Sequence, residues 1–137
     1  MKPESQHTVS FQRSDDSRID GCVSIYEEDD RIRFVLELGS ETFSAVADDC
    51  FGAFCEIRKE LEARDTYPRC LGATRNVFPS GMSRSMGAGV MAYRLTMGSQ
   101  ALRGDLVNIF DDANGSPSAT VEEQERFFDE WITSLGN

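Results

Sequence analysis

A chain of 137 residues, 39% hydrophobic, 9% aromatic and 28% charged, is long enough to bury one core and too rich in apolar residues to stay disordered; a single domain spanning residues 1–137 is expected. The formal net charge of −10 argues against a nucleic-acid partner, which calls for Lys and Arg clustered on one face. No run approaches the roughly 18 apolar residues of a membrane-spanning helix, and Met1–His7 lacks the apolar centre of a signal peptide, so a cytoplasmic protein with no membrane contact is expected.

The charge is unevenly divided. Residues 1–65 carry 8 basic against 16 acidic residues, residues 66–104 carry 5 arginines and no acid, and residues 105–137 carry 1 arginine against 8 acids. Such a balance steers a basic protein partner inward.

In chain order, residues 1–7 read as an N-terminal arm, and the strands Thr8–Arg13, Gly21–Tyr26 and Arg31–Leu38 follow, the last with Ile32, Phe34, Leu36 and Leu38 on one face. Glu27-Glu28-Asp29-Asp30 forms a hairpin loop of acids, and Gly39-Ser40 turns the chain into a weaker strand, Thr42–Ala47. At Asp48-Asp49 the period lengthens to that of a helix, with Phe51, Phe54, Ile57 and Leu61 on one stripe and an aspartate as its N-cap. Pro68 stands beyond its end, and a short strand, Arg69–Ala73, is expected next.

Residues 75–89 keep neither a helical nor an alternating period and read as a long structured loop. Val90–Met97 recovers a strand, Asp105–Phe110 reads as a short capped helix, and Asn114–Pro117 as a loop. Thr120 with Glu123 matches a capping box, opening a helix that carries Val121, Phe128, Trp131, Ile132 and Leu135 on one face until Gly136. The fold class is therefore α+β: a mostly antiparallel sheet of four to six strands, with one inserted helix and one C-terminal helix packed on it.

The chemistry points away from catalysis. His7 is the only histidine, which leaves a Ser or Cys nucleophile without its usual base. Cys22, Cys50, Cys55 and Cys70 contain no C-x-x-C pair, the acidic runs lack the spacing of a calcium loop, and no metal or cofactor is expected. Gly87-Ala88-Gly89 resembles a fragment of a phosphate loop, which leaves two readings of residues 75–89. One is a surface loop using glycine for its turns; the other is an anion or small-ligand pocket built from Arg75, Ser80, Ser83 and Arg84 around Gly81 and Gly87. The same passage mixes adaptable Met82, Met86 and Phe78 with the planar donors Arg75 and Arg84, a composition typical of binding hot spots, although the two methionines fit a core equally well. Two contact surfaces follow: Glu27, Glu28, Asp29 and Asp30 as an electrostatic patch, and Arg75, Met82, Arg84 and Met86 as loop anchors.

The run R-N-V-F-P-S-G-M-S-R-S-M-G-A-G at 75–89, with A-Y-R-L at 92–95 and D-L-V-N-I-F at 105–110, resembles small bacterial immunity-type proteins associated with secreted polymorphic toxins, over roughly residues 48–111. The resemblance implies a cytoplasmic protein that binds a cognate toxin domain and occludes its active site. Many such toxins attack nucleic acid or nucleotides through basic clefts, which the acidic balance suits. It fixes neither the toxin's activity nor the contacting residues.

Overall fold

The alternating first half closes into an antiparallel meander. The computed structural model describes residues 2–86 and 88–136, apart from the side chain of Met86. Strands β1 (Ser5–Gln12), β2 (Arg18–Glu28), β3 (Arg31–Leu38) and β4 (Glu41–Ala47) pair in sequence order. One face of the sheet gathers Val9 and Phe11, Val23 and Ile25, Ile32, Phe34, Leu36 and Leu38, and Phe43, all buried. Gly21 sits between Val9 and Leu38 in the register. A Cβ there would stand 2.7 Å from the Phe11 ring and 2.9 Å from Leu36, so the missing side chain is what lets Phe11 lie across the strand. Because β1 begins at Ser5, His7 lies within it instead of in an arm, its ring stacked on Phe110 at 4.1 Å.

Helix α1 (Cys50–Glu62) crosses the apolar face, burying Phe51, Phe54, Ile57 and Leu61; Phe54 stacks on Phe34 at 5.2 Å. As its sequence requires, Asp49 caps it, accepting from the Gly52 amide at 2.7 Å. The crossing delivers β5 (Tyr67–Pro68) to the far edge, where Phe11 faces Pro68, and the sheet order is β4-β3-β2-β1-β5.

The second half departs from the sequence expectations in three places. Leu71–Ala73 is a 3-10 turn, and the strand precedes it. Residues 75–89 are not a featureless loop: β6 (Val77–Phe78) and α2 (Gly81–Met86) lie within them. Asp105–Phe110 is not a helix. The Asp105 carboxylate accepts from the Leu102 amide at 2.9 Å and so closes a turn at Arg103–Asp105, while β8 (Leu106–Asn108) pairs with β7 (Met91–Arg94). Tertiary pairing overrides the local cap signal. Strands β6, β7 and β8 make a second, three-stranded sheet.

Helix α3 (Val121–Leu135) opens with the expected capping box: the Thr120 hydroxyl accepts from the Glu123 amide at 3.0 Å, and the Glu123 carboxylate accepts from the Thr120 amide at 2.8 Å. The hydrogen bond from the Thr120 amide, and after it that from the Thr120 side chain, hold the Glu123 carboxyl below its ordinary range. The helix packs against α1 and β6, where the sequence placed it on the large sheet. The fold is α+β, and no helix among the described residues is long and apolar enough to cross a membrane.

Candidate partner-binding site

What positions α3 is a buried polar hub. Arg58, wholly buried on α1, donates to the Gln124 side-chain oxygen at 2.6 Å, to the Ala119 carbonyl at 3.0 Å and to the Gly72 carbonyl at 3.3 Å. The Gln124 amide nitrogen in turn reaches the carbonyls of Gly72, Thr74 and Val77 at 2.9, 3.0 and 2.7 Å. Among the described residues Arg58 pairs with no carboxylate, and its Nε has no hydrogen-bond partner. Glu62, one turn further along α1, accepts from the Val121 amide at 2.9 Å. The first turn of α3 is thus fixed to the segment leading into β6.

The rest of α3 leans over the outer face of the second sheet and leaves a slot of about 350 Å3, lined chiefly by Phe78, Tyr93, Leu95, Phe128, Trp131 and Leu135, with Pro79, Ser80, Gln100 and Ala101 at its margin. Phe78 faces Tyr93 across the β6–β7 pair, and Phe78 and Phe128 stack at 4.1 Å. The Trp131 indole donates to the carbonyls of Thr96 and Ser99 at 3.1 and 3.0 Å, and the Gly98 amide donates to Ser134 at 2.9 Å. The ring is therefore locked in place, with its donor occupied and its surface left as apolar contact area. Helical spacing puts Ile132, 48% exposed, one turn beyond Phe128 and Asp129, at the border between the apolar stripe and the exposed acids Glu125 and Asp129. Met82 and Leu102, at 73% and 67% exposed, are the least covered large apolar side chains among the described residues. A rigid aromatic slot with no charged residue in its lining can accept an apolar side chain. A larger, more open cleft of about 580 Å3 sets Arg13 and Arg69 against Asp16, Asp65 and Glu123, and so offers a ligand no single sign of charge.

The residues singled out in the sequence fall in several places. In the acidic hairpin β2 runs on through Glu28, and only Asp29-Asp30 form the turn, both with positive φ (49° and 65°). Glu28 is held by Arg33 through bonds of 3.0 and 3.1 Å, which draw its carboxyl below the usual range, while Glu27, Asp29 and Asp30 are exposed. Arg84 bonds Asp49 at 2.9 Å and lies over Phe51, so it clasps α2 to the start of α1. Gly89 serves the same clasp: its φ is +72°, and a Cβ would meet Asp49 at 2.9 Å. Arg75 lies over Phe127 on the side of α3 away from the slot. Met82 stands exposed on α2; the side chain of Met86 and all of Gly87 lie outside the described residues.

The side chains suggested for an anion pocket do not converge. The Ser80 hydroxyl accepts from the Ser83 amide at 3.0 Å, that of Ser83 donates to the Met91 carbonyl, Arg84 is paired with Asp49, and Arg75 and Ser80 line different clefts. The first amides of α1 are also taken, Cys50 by the Ala88 carbonyl at 2.6 Å and Gly52 by Asp49. Among the described residues no three His, Cys, Asp or Glu side chains gather as metal ligands would. Burial pushes the thiols of Cys50 and Cys70 up to about 12, Asp49's charge adding to it at Cys50.

Sequence reasoning read Phe128, Trp131 and Leu135 as a core stripe and missed Tyr93, Leu95 and Gln100 as lining residues. The available signal was an aromatic-rich stripe continuing to the end of a helix whose hub residue, Gln124, lies in its first turns. No protein-family model matches the sequence, and a search of the curated proteins finds no match.

Proposed function

We propose that the chain is an immunity-type protein: a stoichiometric inhibitor that acts in the cytoplasm by seating part of a cognate bacterial toxin domain in the slot between α3 and the second sheet. The observation that carries this reading is the preorganised aromatic slot of Phe78, Tyr93, Phe128 and Trp131, with Ile132 exposed on the same helix and Met82 and Leu102 exposed two residues and one residue from the lining positions Ser80 and Ala101. Aromatic anchors held rigid before contact lose little entropy on binding. The partner expected is basic, because the whole molecule carries −10. Glu27, Asp29 and Asp30 contribute by steering, through a field that salt screens within a Debye length of about 8 Å at physiological ionic strength.

The test begins with capture on the immobilised protein from its own host, at low and then high salt, beside a Trp131→Ala, Met82→Glu column. Immunity predicts one basic protein retained in equimolar amount by the wild type, retained at least about tenfold more weakly by the variant, and toxic alone but harmless when co-expressed with this chain. Equal retention by both columns would remove the slot from the interface. A captured partner whose toxicity the chain does not relieve would overturn the inhibitor reading.

A further inference from the structure

A sheet's outer strand leaves every second N–H and C=O unpaired, and proteins blunt such edges with short strands, proline, lysine or bulges. Among the described residues, three of the four terminal strands follow that rule, although β5 covers only Phe11 and Gln12 of β1. Strand β5 has two residues and ends in Pro68, β6 has two, and β8 has three. Strand β4 does not. It runs seven residues, pairs with β3 in unbroken register from Glu41 opposite Leu38 to Ala47 opposite Ile32, and contains no proline, no lysine and no charge from Thr42 to Ala47. Thr42, Ser44 and Val46 are exposed, and among the described residues β4 has no strand neighbour except β3.

The two ends of this edge are electrically matched. Glu41 is held by Arg64 from the end of α1, and Asp48 by Arg31 at 3.4 Å. An antiparallel partner of the same sequence, related by a two-fold axis at Ser44, would set Thr42 opposite Val46, Phe43 opposite Ala45 and Glu41 opposite Ala47. Each end would then bring the Glu41–Arg64 pair of one copy beside the Arg31–Asp48 pair of the other, two anions with two cations. These two ion pairs give two copies complementary charges at each end of the edge.

We infer that β4 pairs antiparallel with β4 of a second copy, joining the two five-stranded sheets into one continuous sheet of ten strands. No residue lining the aromatic slot belongs to β4, so the strand pairing itself uses none of the slot.

The experiment is sedimentation over a wide concentration range, paired with amide hydrogen exchange on the same samples. The expected result is a doubled mass at high concentration, slowed exchange within residues 41–47 in step with it, and tighter association as salt rises, since salt screens the repulsion between two acidic bodies. The double variant Ser44→Lys, Val46→Lys places two lysines on exposed positions of the edge and should remain monomeric with an unchanged melting curve. A monomer at every concentration overturns the inference, as does a dimer whose slowed amides lie outside β4. Protection of β4 that appears only on adding a different protein assigns the edge to that protein and equally overturns self-pairing.

Discussion

At the scale of single residues the decisive pair is Arg58 and Gln124. A guanidinium with no carboxylate beside it is costly to bury, and here it is offset by three acceptors, one of them Gln124 itself. Gln124 can fill this position because an amide both accepts and donates: its oxygen takes the cation, and its two N–H groups are shared among the carbonyls of Gly72, Thr74 and Val77. Gln124→Ala takes the side-chain donor from the Val77 carbonyl and the acceptor from one Arg58 N–H, while the Gly72 carbonyl keeps Arg58 and that of Thr74 keeps the Val77 amide; it should lower stability by about 3–5 kcal/mol in denaturant titration. Arg58→Met removes the buried charge along with its bonds and should cost clearly less. Equal losses for the two variants would show that the charge itself is not the burden. Nothing in the sequence announced this pair. The helical period leaves Arg58 off the apolar stripe of α1, since periodicity registers polarity but cannot register a partner 66 positions away.

At the scale of elements, legibility followed the range of the interactions. The meander was readable because β2, β3 and β4 bury alternate residues and are joined by short turns; the helix bounds at α1 and α3 were readable because Asp49 and Thr120 act within one turn. Strands β6 and β8, of two and three residues, were not, because they exist only by pairing with β7, and so short a run has no period. The candidate slot was half visible: its α3 wall lay in the amphipathic stripe, while its sheet wall depended on that illegible pairing. The α1–α2 clasp gives an element-scale prediction. Asp49 serves two masters, the Gly52 amide and Arg84, so Asp49→Ala should cost about 2 kcal/mol and speed amide exchange through α2. Asp49→Ser keeps the cap and loses the arginine bond; it should recover roughly half of that loss in a thermal melt.

At the scale of the whole molecule, stability should weaken on the alkaline side. The Cys50 and Cys70 thiols ionise near 9.0 when exposed by unfolding but only near about 12 when buried in the fold. Their contribution is therefore complete below pH 9 and is lost as pH rises toward 12, by on the order of 1 kcal/mol per thiol at pH 10. Urea titrations of the wild type and of a Cys50→Ala, Cys70→Ala variant should diverge in slope above pH 9; parallel curves would remove the thiols as the cause. The Arg58 hub also bears on how the chain is made. The four strands of the meander, residues 5–47, touch neighbours close in sequence and can assemble as they emerge from the ribosome. Arg58 waits for Ala119 and Gln124, synthesised 61 and 66 residues later, before its charge is enclosed. The aromatic slot takes its shape in the same event, so binding competence arrives late in synthesis, and a nascent chain halted before residue 119 carries a formed meander with no slot.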